Sequence, residues 1–421
     1  MALDLSSTYI DLINAVNNAK VGKTSELKND SGFITKSIVP NSLNSQFAVS
    51  SSGTDLTVDM TYENLSSALT TRQRALTYGN GIWVAGDTNG AIQYSTNGGA
   101  TWTRSNTLIN KVGGTETTTI TGLAYGKGYF VATSYGDSIY KSLDGINWTV
   151  VDCDVTGLGD VIYANGRFVF VAKEGEVVFS DDLQRFELIN IGSPANFSTI
   201  AFGRDRFFTG TGDSYGNEAD QRIYYSLDGL VWNTVESDVL AAGSGSDYWG
   251  GACYGKGKYL IGGRSRTLNG TTYSIAYSDD CVTWYPATCP TALFVRAITY
   301  IYGKFFAVGY LSSGKGEIWS SLDGINWTLE QTGLTRQWVI THAEDFLVTL
   351  GDSGAGMRYT FNVDWLDYEP EINPEEILWQ KTQLRLTDGS LIESEVEVHT
   401  NLTSILNSAG KVTITDLRGI V

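Results

Sequence analysis

Two identical octets, "SLDGINWT" at 142–149 and 321–328, and further copies of the same unit predict an all-β protein, a seven-bladed β-propeller of four-stranded antiparallel blades. The composition agrees, with 47 Gly, 6 Pro, 12% aromatic residues and many short Tyr-, Phe-, Val- and Thr-rich runs broken by turn residues. The anchoring aromatics stand at 102, 148, 186, 232, 284, 327 and 365, a spacing of 38–52 residues. That is room for four short strands and too long for one rung of a linear β-solenoid.

Each unit opens on an apolar strand and a tight turn. The copies read "LTYGNGIWVAG" (76–86), "LAYGKGYFVAT" (123–133), "IYANGRFVFVA" (162–172), "IAFGRDRFFTG" (200–210), "ACYGKGKYLIG" (252–262) and "ITYIYGKFFAVG" (298–309). A second strand and a loop of variable length follow, then a third strand ending in aromatic–Ser, a Gly-type turn and a fourth strand that starts near Trp. The third-strand copies are "YSTNGGATWT" (94–103), "YKSLDGINWT" (140–149), "FSDDLQRFEL" (179–188), "YSLDGLVWNT" (225–234), "YSDDCVTWYP" (277–286) and "SSLDGINWTL" (320–329). A worn seventh unit reads "VITHAEDFLVTLG" (339–351) and "RYTFNVDWLDY" (358–368).

The repeated turn has a physical reading. The short polar side chains of Ser142 and Asp144 can bond turn amides, Gly145 supplies a positive φ, and Trp148 is large enough to fill the gap between sheets. The same roles fall to Ser95, Asn97 and Trp102; to Ser226, Asp228 and Trp232; to Ser278, Asp280 and Trp284; and to Ser321, Asp323 and Trp327. This turn resembles the Asp-box, or BNR repeat, of propellers that include sialidases and many non-enzymatic proteins. The resemblance covers residues 73–369 and implies that the box sits on the turn from third to fourth strand, at the periphery and away from the central pocket. "STNGGATW" has the longer form of the box; the other copies are one residue shorter from Ser to the aromatic.

Three regions follow: an attachment segment at 1–72, the propeller at 73–369 and a β appendage at 370–421. In the first, "YIDLINAVNNAK" suggests a short helix, "QFAVSSSGTDLTVDM" (46–60) a hairpin and "YENLSSALTT" a second helix. The run "ELKNDSGFIT" resembles Asn-Asp-Ser-Gly-Phe segments of bacteriophage tail-fibre and baseplate proteins. A segment too small to bury its own core implies partner subunits, here other tail or baseplate proteins and a homotrimer. In the appendage, Asp388-Gly389 between alternating strands signals a hairpin.

The formal charge of −17 argues against a nucleic-acid partner. No apolar run reaches membrane-spanning length, and the N-terminus lacks the pattern of a signal peptide. Cys153, Cys253, Cys281 and Cys289 show no metal or framework spacing and read as free thiols. The two histidines, His342 and His399, have no ligand partners at useful spacing, and no nucleophile–His–acid set can be assembled, so neither a cofactor nor enzyme activity is expected. A sialidase-like glycoside hydrolase is the alternative that the resemblance raises, but its Phe-Arg-Ile-Pro start motif is replaced here by "TRQRALTYG". A third reading is a structural baseplate spacer.

For binding, the loops entering each first strand and those joining strands two and three should line one face. They carry Asp160, Trp249, Arg264, Arg296, Arg336 and Trp338, a set suited to a bacterial surface glycan through ring stacking and hydrogen bonds. The loop "GDSYGNEADQ" offers Asp213, Asn217, Glu218 and Asp220 as an oxygen-rich set for Ca²⁺, without a recognised ligand spacing. The functional expectation is a phage tail protein, assembled in the host cytoplasm and carried on the virion, that adheres to a bacterial glycan without chemistry.

Overall fold

A computed structural model describes residues 59–362, apart from 66–68, 70, 111–116, 137, 152, 154, 194–195, 213–221, 242–248 and 344–345, together with the backbone of two strands near the C-terminus. Seven four-stranded antiparallel sheets form the propeller. In blade one the strands Gln73–Gly79, Ile82–Asp87, Ala91–Ser95 and Thr103–Leu108 pair in chain order, from the axis outward. Blades two to six repeat this, starting from the inner strands Ile120–Gly126, Asp160–Ala164, Phe197–Gly203, Trp249–Gly255 and Phe294–Ile301.

Blade seven is built differently. Its inner three strands, Gln337–Ala343, Phe346–Gly351 and Gly356–Asn362, come from the end of the ring. Its outer strand is Asp59–Leu65, paired antiparallel from Asp59 opposite Asn362 to Leu65 opposite Gly356. The propeller unit accordingly spans Thr57–Val363, so a blade strand lies ahead of the boundary expected at 73, while residues 364–369 are outside the described residues. The expected helix in "YENLSSALTT" is corrected too, since Tyr62–Leu65 are strand residues; pairing with a distant strand outweighs a short local helical pattern. Trp365, expected to anchor the seventh unit, lies outside the described residues, as do the expected N-terminal helix, the tail-protein-like run and most of the expected 46–60 hairpin.

The closing strand is fastened by Arg358, which pairs with Glu63 and donates from Nη1 to the Asn97 carbonyl of blade one at 3.0 Å. One guanidinium thus joins the closing strand, blade seven and blade one.

Between blades the packing is apolar. Among the described residues seven hydrophobic clusters occur, one in each seam. The repeated indoles sit in these seams: Trp148 of blade two clusters with Val84 and Ile92 of blade one, Trp327 with Leu260 of blade five, and Trp102 with Val348 of blade seven. The turn that carries each indole is built as its side chains suggest. Ser142 Oγ donates to Asp144 Oδ1 at 2.9 Å and accepts from Gly145 N at 2.9 Å, while Asp144 Oδ1 accepts from the amides of Ile146 and Asn147. Trp148 Nε1 then donates to the Gly145 carbonyl at 3.1 Å. The same bonds recur at 226–232 and 321–327; at 278–284, where Cys281 stands in the place of the glycine, Ser278 still bonds Asp280, Asp280 Oδ1 still takes two turn amides and Trp284 Nε1 still donates to the 281 carbonyl. Burial alone would raise the Asp144 carboxyl, but the bonds from Asn147, Ile146 and Ser142 outweigh it and hold the group down at about 2.

A second seam device was hidden in the "YG" of the repeat. A Cβ at Gly126 would lie 1.9 Å from Cγ of Tyr163 in the next blade, and Gly79, Gly203 and Gly255 stand likewise under Tyr125, Tyr254 and Tyr300. Here glycine is required for close approach of a ring, whereas the turn glycine Gly128 faces open space and is needed for its φ of 80°.

The other unit, residues 1–56 and 364–421, is described only by one antiparallel hairpin, Ile377–Arg385 with Leu391–His399; the Asp388-Gly389 turn itself is outside the described residues.

Because a methyl at 126 would overlap the ring of Tyr163, which packs against the seam cluster of blades two and three, Gly126→Ala is expected to destabilise the propeller by about 2–3 kcal/mol. Urea unfolding followed by tryptophan fluorescence checks this; an unchanged midpoint would show that the Tyr–Gly seam yields freely.

Candidate functional site

Six of the seven inner strands carry a β-bulge near their start, one extra residue between Gln73 and Ala75, Ile120 and Gly122, Phe197 and Thr199, Trp249 and Gly251, Val295 and Ala297, and Gln337 and Val339. The extra residues are Arg74, Thr121, Ser198, Gly250, Arg296 and Trp338. All six line one axial pocket of about 490 Å³, whose wall draws on the inner strands of all seven blades. A bulge leaves a residue unpaired and re-aims its side chain, and here the repetition gathers those residues about the axis. In blade three the strand begins instead at Asp160, which also lines the pocket.

Asp160 accepts from the amide of Val161 at 2.8 Å and from that of Ile200 in blade four at 3.3 Å. Desolvation in the cavity wall pushes its carboxyl up to about 7, against the opposing pull of those two amides. Among the described lining residues it is the one carboxylate, and it shares the wall with the cations Arg74, Lys173 and Arg296. Thr121 and Ser198 are turned into the scaffold, donating to the carbonyls of Leu158 and Trp249.

Of the six residues expected to bind, the structure brings Asp160, Arg296 and Trp338 together in this wall. Trp338 is only 7% exposed, and its ring is flanked by the guanidinium carbons of Arg72, Arg296 and Arg74 at 4.5, 4.6 and 5.0 Å and by Tyr310 at 5.2 Å. Its Nε1 donates to Asp352 Oδ1 at 2.8 Å, and the same oxygen takes Arg72 Nε at 2.6 Å. The ring has no open face for a sugar; it is a platform that positions arginines. Arg264 and Arg336 are not in the wall but stack beside it, over Phe294 at 5.3 Å and Tyr310 at 5.0 Å. Trp249 is a correction. It is 1% exposed, sits in the seam between blades four and five under the Arg266 guanidinium at 3.6 Å, and offers no surface to a ligand.

The pocket residues that the sequence reading passed over are Tyr135, Lys173 and Asn196. Tyr135, in the loop between strands two and three of blade two, is 64% exposed and is the open aromatic ring of this wall. A usable signal existed for the bulge residues, though not for these three. Four positions before the "YG" tyrosine, the aligned units read Arg74, Thr121, Gly159, Ser198, Gly250, Arg296 and Trp338, a column that varies while its neighbours repeat.

His342 lies outside the pocket wall, in the inner strand of blade seven with Nδ1 2.7 Å from Thr299 Oγ1, and burial lowers it to about 4. His399 stands at the end of the C-terminal hairpin. The proposed Ca²⁺ loop, Asp213, Asn217, Glu218 and Asp220, is outside the described residues, and among the described residues no group of three His, Cys, Asp or Glu could hold a metal.

No protein-family model matches the chain, and no curated protein matches its sequence. Solved structures do resemble it. YCF48 bound to a D1 peptide aligns with a TM-score of 0.55 at 13% identity, covering 71% of this chain and 96% of that one. YCF48 from Cyanidioschyzon merolae gives 0.54 at 10% identity over 71% and 98%. A catalytically inactive variant of virginiamycin B lyase from Staphylococcus aureus, with Quinupristin, gives 0.53 at 12% identity over 72% and 99%. At these identities the likeness is one of fold, the β-propeller.

An acid whose folded pKa is raised destabilises the fold once its unfolded form has ionised. The wild type is therefore expected to lose the Asp160 contribution as pH rises from about 4 to about 7, with no further loss above that. Asp160→Asn should match the wild type near pH 4 and exceed it in melting temperature at pH 8, and parallel stability curves for the two would contradict this.

Proposed function

We propose that the chain is a bacteriophage tail component, of a fibre or baseplate, whose propeller holds a bacterial surface glycan in the axial pocket without cleaving it. One observation carries the reading. In a chain of net charge −17, three cations, a single carboxylate and an exposed tyrosine converge, among the described residues, on one cavity large enough for a short oligosaccharide. Tyr135 supplies the open ring for an apolar sugar face. Arg74, Arg296 and Lys173 supply donors, and Asp160 is an acceptor above its titration point. The resemblance of "ELKNDSGFIT" to tail proteins supports the setting, with residues 1–56 as the attachment to other tail proteins and three copies as the assembled form. Displaying several copies would multiply weak contacts.

The sialidase-like reading needs an arginine triad, a Tyr–Glu nucleophile pair and an acid Asp, and among the described lining residues Asp160 is the one carboxylate, so the Glu of the pair is missing. This favours binding over turnover. The spacer reading assigns the pocket no ligand at all. Among the neighbours by fold, one is described with a bound peptide and one with Quinupristin, which shows what those proteins hold and leaves the guest of this pocket to experiment.

The test is a bacterial glycan panel on the full chain, with affinities by calorimetry and hydrolysis by release of reducing ends. At least one glycan is expected to bind without hydrolysis, weakening about tenfold or more in both Tyr135→Ala and Arg296→Ala. Release of reducing ends would move the reading to the hydrolase, and a panel with no binder would move it to the spacer. Light scattering of the same sample should give the mass of a trimer; a monomer would remove the fibre.

A further inference from the structure

The arginines of the axial pocket belong to a line that continues past its wall. Three aromatic rings lead outward in contact. Trp338 of blade seven packs on Tyr310 of blade six at 5.2 Å, and Tyr310 meets Phe294 edge-on, again at 5.2 Å. A guanidinium lies over each ring: Arg72, Arg74 and Arg296 over Trp338 at 4.5, 5.0 and 4.6 Å, Arg336 over Tyr310 at 5.0 Å, and Arg264 of blade five over Phe294 at 5.3 Å. All of these side chains stand beside the start of an inner strand or the end of a second strand, the end of the propeller where the pocket residues gather.

Stacking holds a guanidinium by its face, while its donors lie in its edge. Each of these arginines is only half-buried, and each carries several N–H donors, so a contact within the protein leaves others for a guest. Along the line the described cations outnumber the described carboxylates, in a chain whose net charge is −17. Asp352 is taken by Arg72 Nε and Trp338 Nε1, and Glu317, 3% exposed, accepts from Trp319 and Thr291. Asp160 stands across the ring in blade three, and burial and two amides account for its shift without any cation. A planar guanidinium edge matches a carboxylate or a phosphate. Several in a row, running outward from a cavity, match a chain that repeats such a group.

We propose, resting on the assignment of a glycan to the axial pocket, that this glycan is anionic and that its chain leaves the pocket along the arginine line. The guest is a saccharide polymer with a carboxylate or a phosphodiester in each repeat. Arg74 and Arg296 hold the unit at the pocket, and Arg336 and Arg264 hold the units beyond it.

Calorimetry on the full chain tests this with two anionic tetramers, tetragalacturonate and phosphodiester-linked N-acetylglucosamine. Each is measured beside its own monomer and a neutral counterpart, the methyl ester or chitotetraose. At low salt at least one anionic tetramer is expected to bind about tenfold or more tighter than its neutral counterpart. Salt at about 0.5 M should remove most of that advantage. The tighter of the two tetramers tells carboxylate from phosphodiester. In the double variant Arg264→Gln, Arg336→Gln, the ratio of tetramer to monomer affinity should fall about three- to tenfold, and lysine at both positions should restore part of it. An unchanged ratio would confine the guest to the pocket and overturn the line. Equal binding of charged and neutral tetramers would overturn the anionic guest and leave the pocket a glycan site. No binding by any saccharide would remove both readings. Tighter binding of a single-stranded oligothymidylate than of either tetramer would assign the arginines to nucleic acid and overturn the proposal.

Discussion

A ring of sheets holds together only if every seam is filled, because each blade has two apolar faces and no solvent-facing side on which to leave one. That constraint governs this molecule. Seven clusters occupy seven seams, and each needs both of its blades in place. The seam between blades seven and one therefore carries more than its own share. It draws its cluster from residues as distant as Leu65 and Leu350, and its integrity rests on a strand from before the ring completing a sheet from its end. The closing strand gives blade seven the same four strands as its sisters, so its outer edge lies where theirs do instead of one strand short.

The repeating part of the fold was legible because it is local. The Ser–Asp turn satisfies its own amides within seven residues, so its chemistry is visible as a motif, and the aromatic spacing measures the blade directly. What lay beyond reading was non-local. Nothing in "DMTYENL" indicates that its partner is "GMRYTFN" at the far end of the ring; its alternation is weak and its helical pattern was locally plausible. The Tyr163–Gly126 contact was likewise invisible, since a "YG" before a turn reads fully as a hairpin signal without any need for a neighbouring ring. At the site, loop logic located Asp160, Arg296 and Trp338 but could not say which aromatic faced the solvent. Trp338 and Trp249 begin equivalent strands, yet one is wrapped in guanidinium groups and the other closed in a seam, while Tyr135 stands open.

Scaffold and chemistry are divided between different columns of the same repeat. The indoles and turn carboxylates act at the rim, and the bulge residues act at the axis. A bulge residue lies outside the hydrogen-bond ladder, so strand pairing does not depend on which residue stands there, although Thr121, Ser198 and Trp338 do reach into the neighbouring seams. Blade one shows the same freedom at the rim: a one-residue insertion in its turn leaves the indole in the seam but releases its N–H. Repetition fixes the geometry, and departures from it mark where something other than geometry is at stake.

The register of the closing strand has a mechanical consequence. Asp59 lies opposite Asn362, so the chain enters the propeller and leaves it at the same end of one strand pair. Tension applied between the two exits peels that pair apart one rung at a time, the weak direction for a β-ladder. Tension directed along the strands, from one exit to the far end of the pair, instead loads every rung of that ladder at once. The ring is therefore a fastening with a preferred direction of pull.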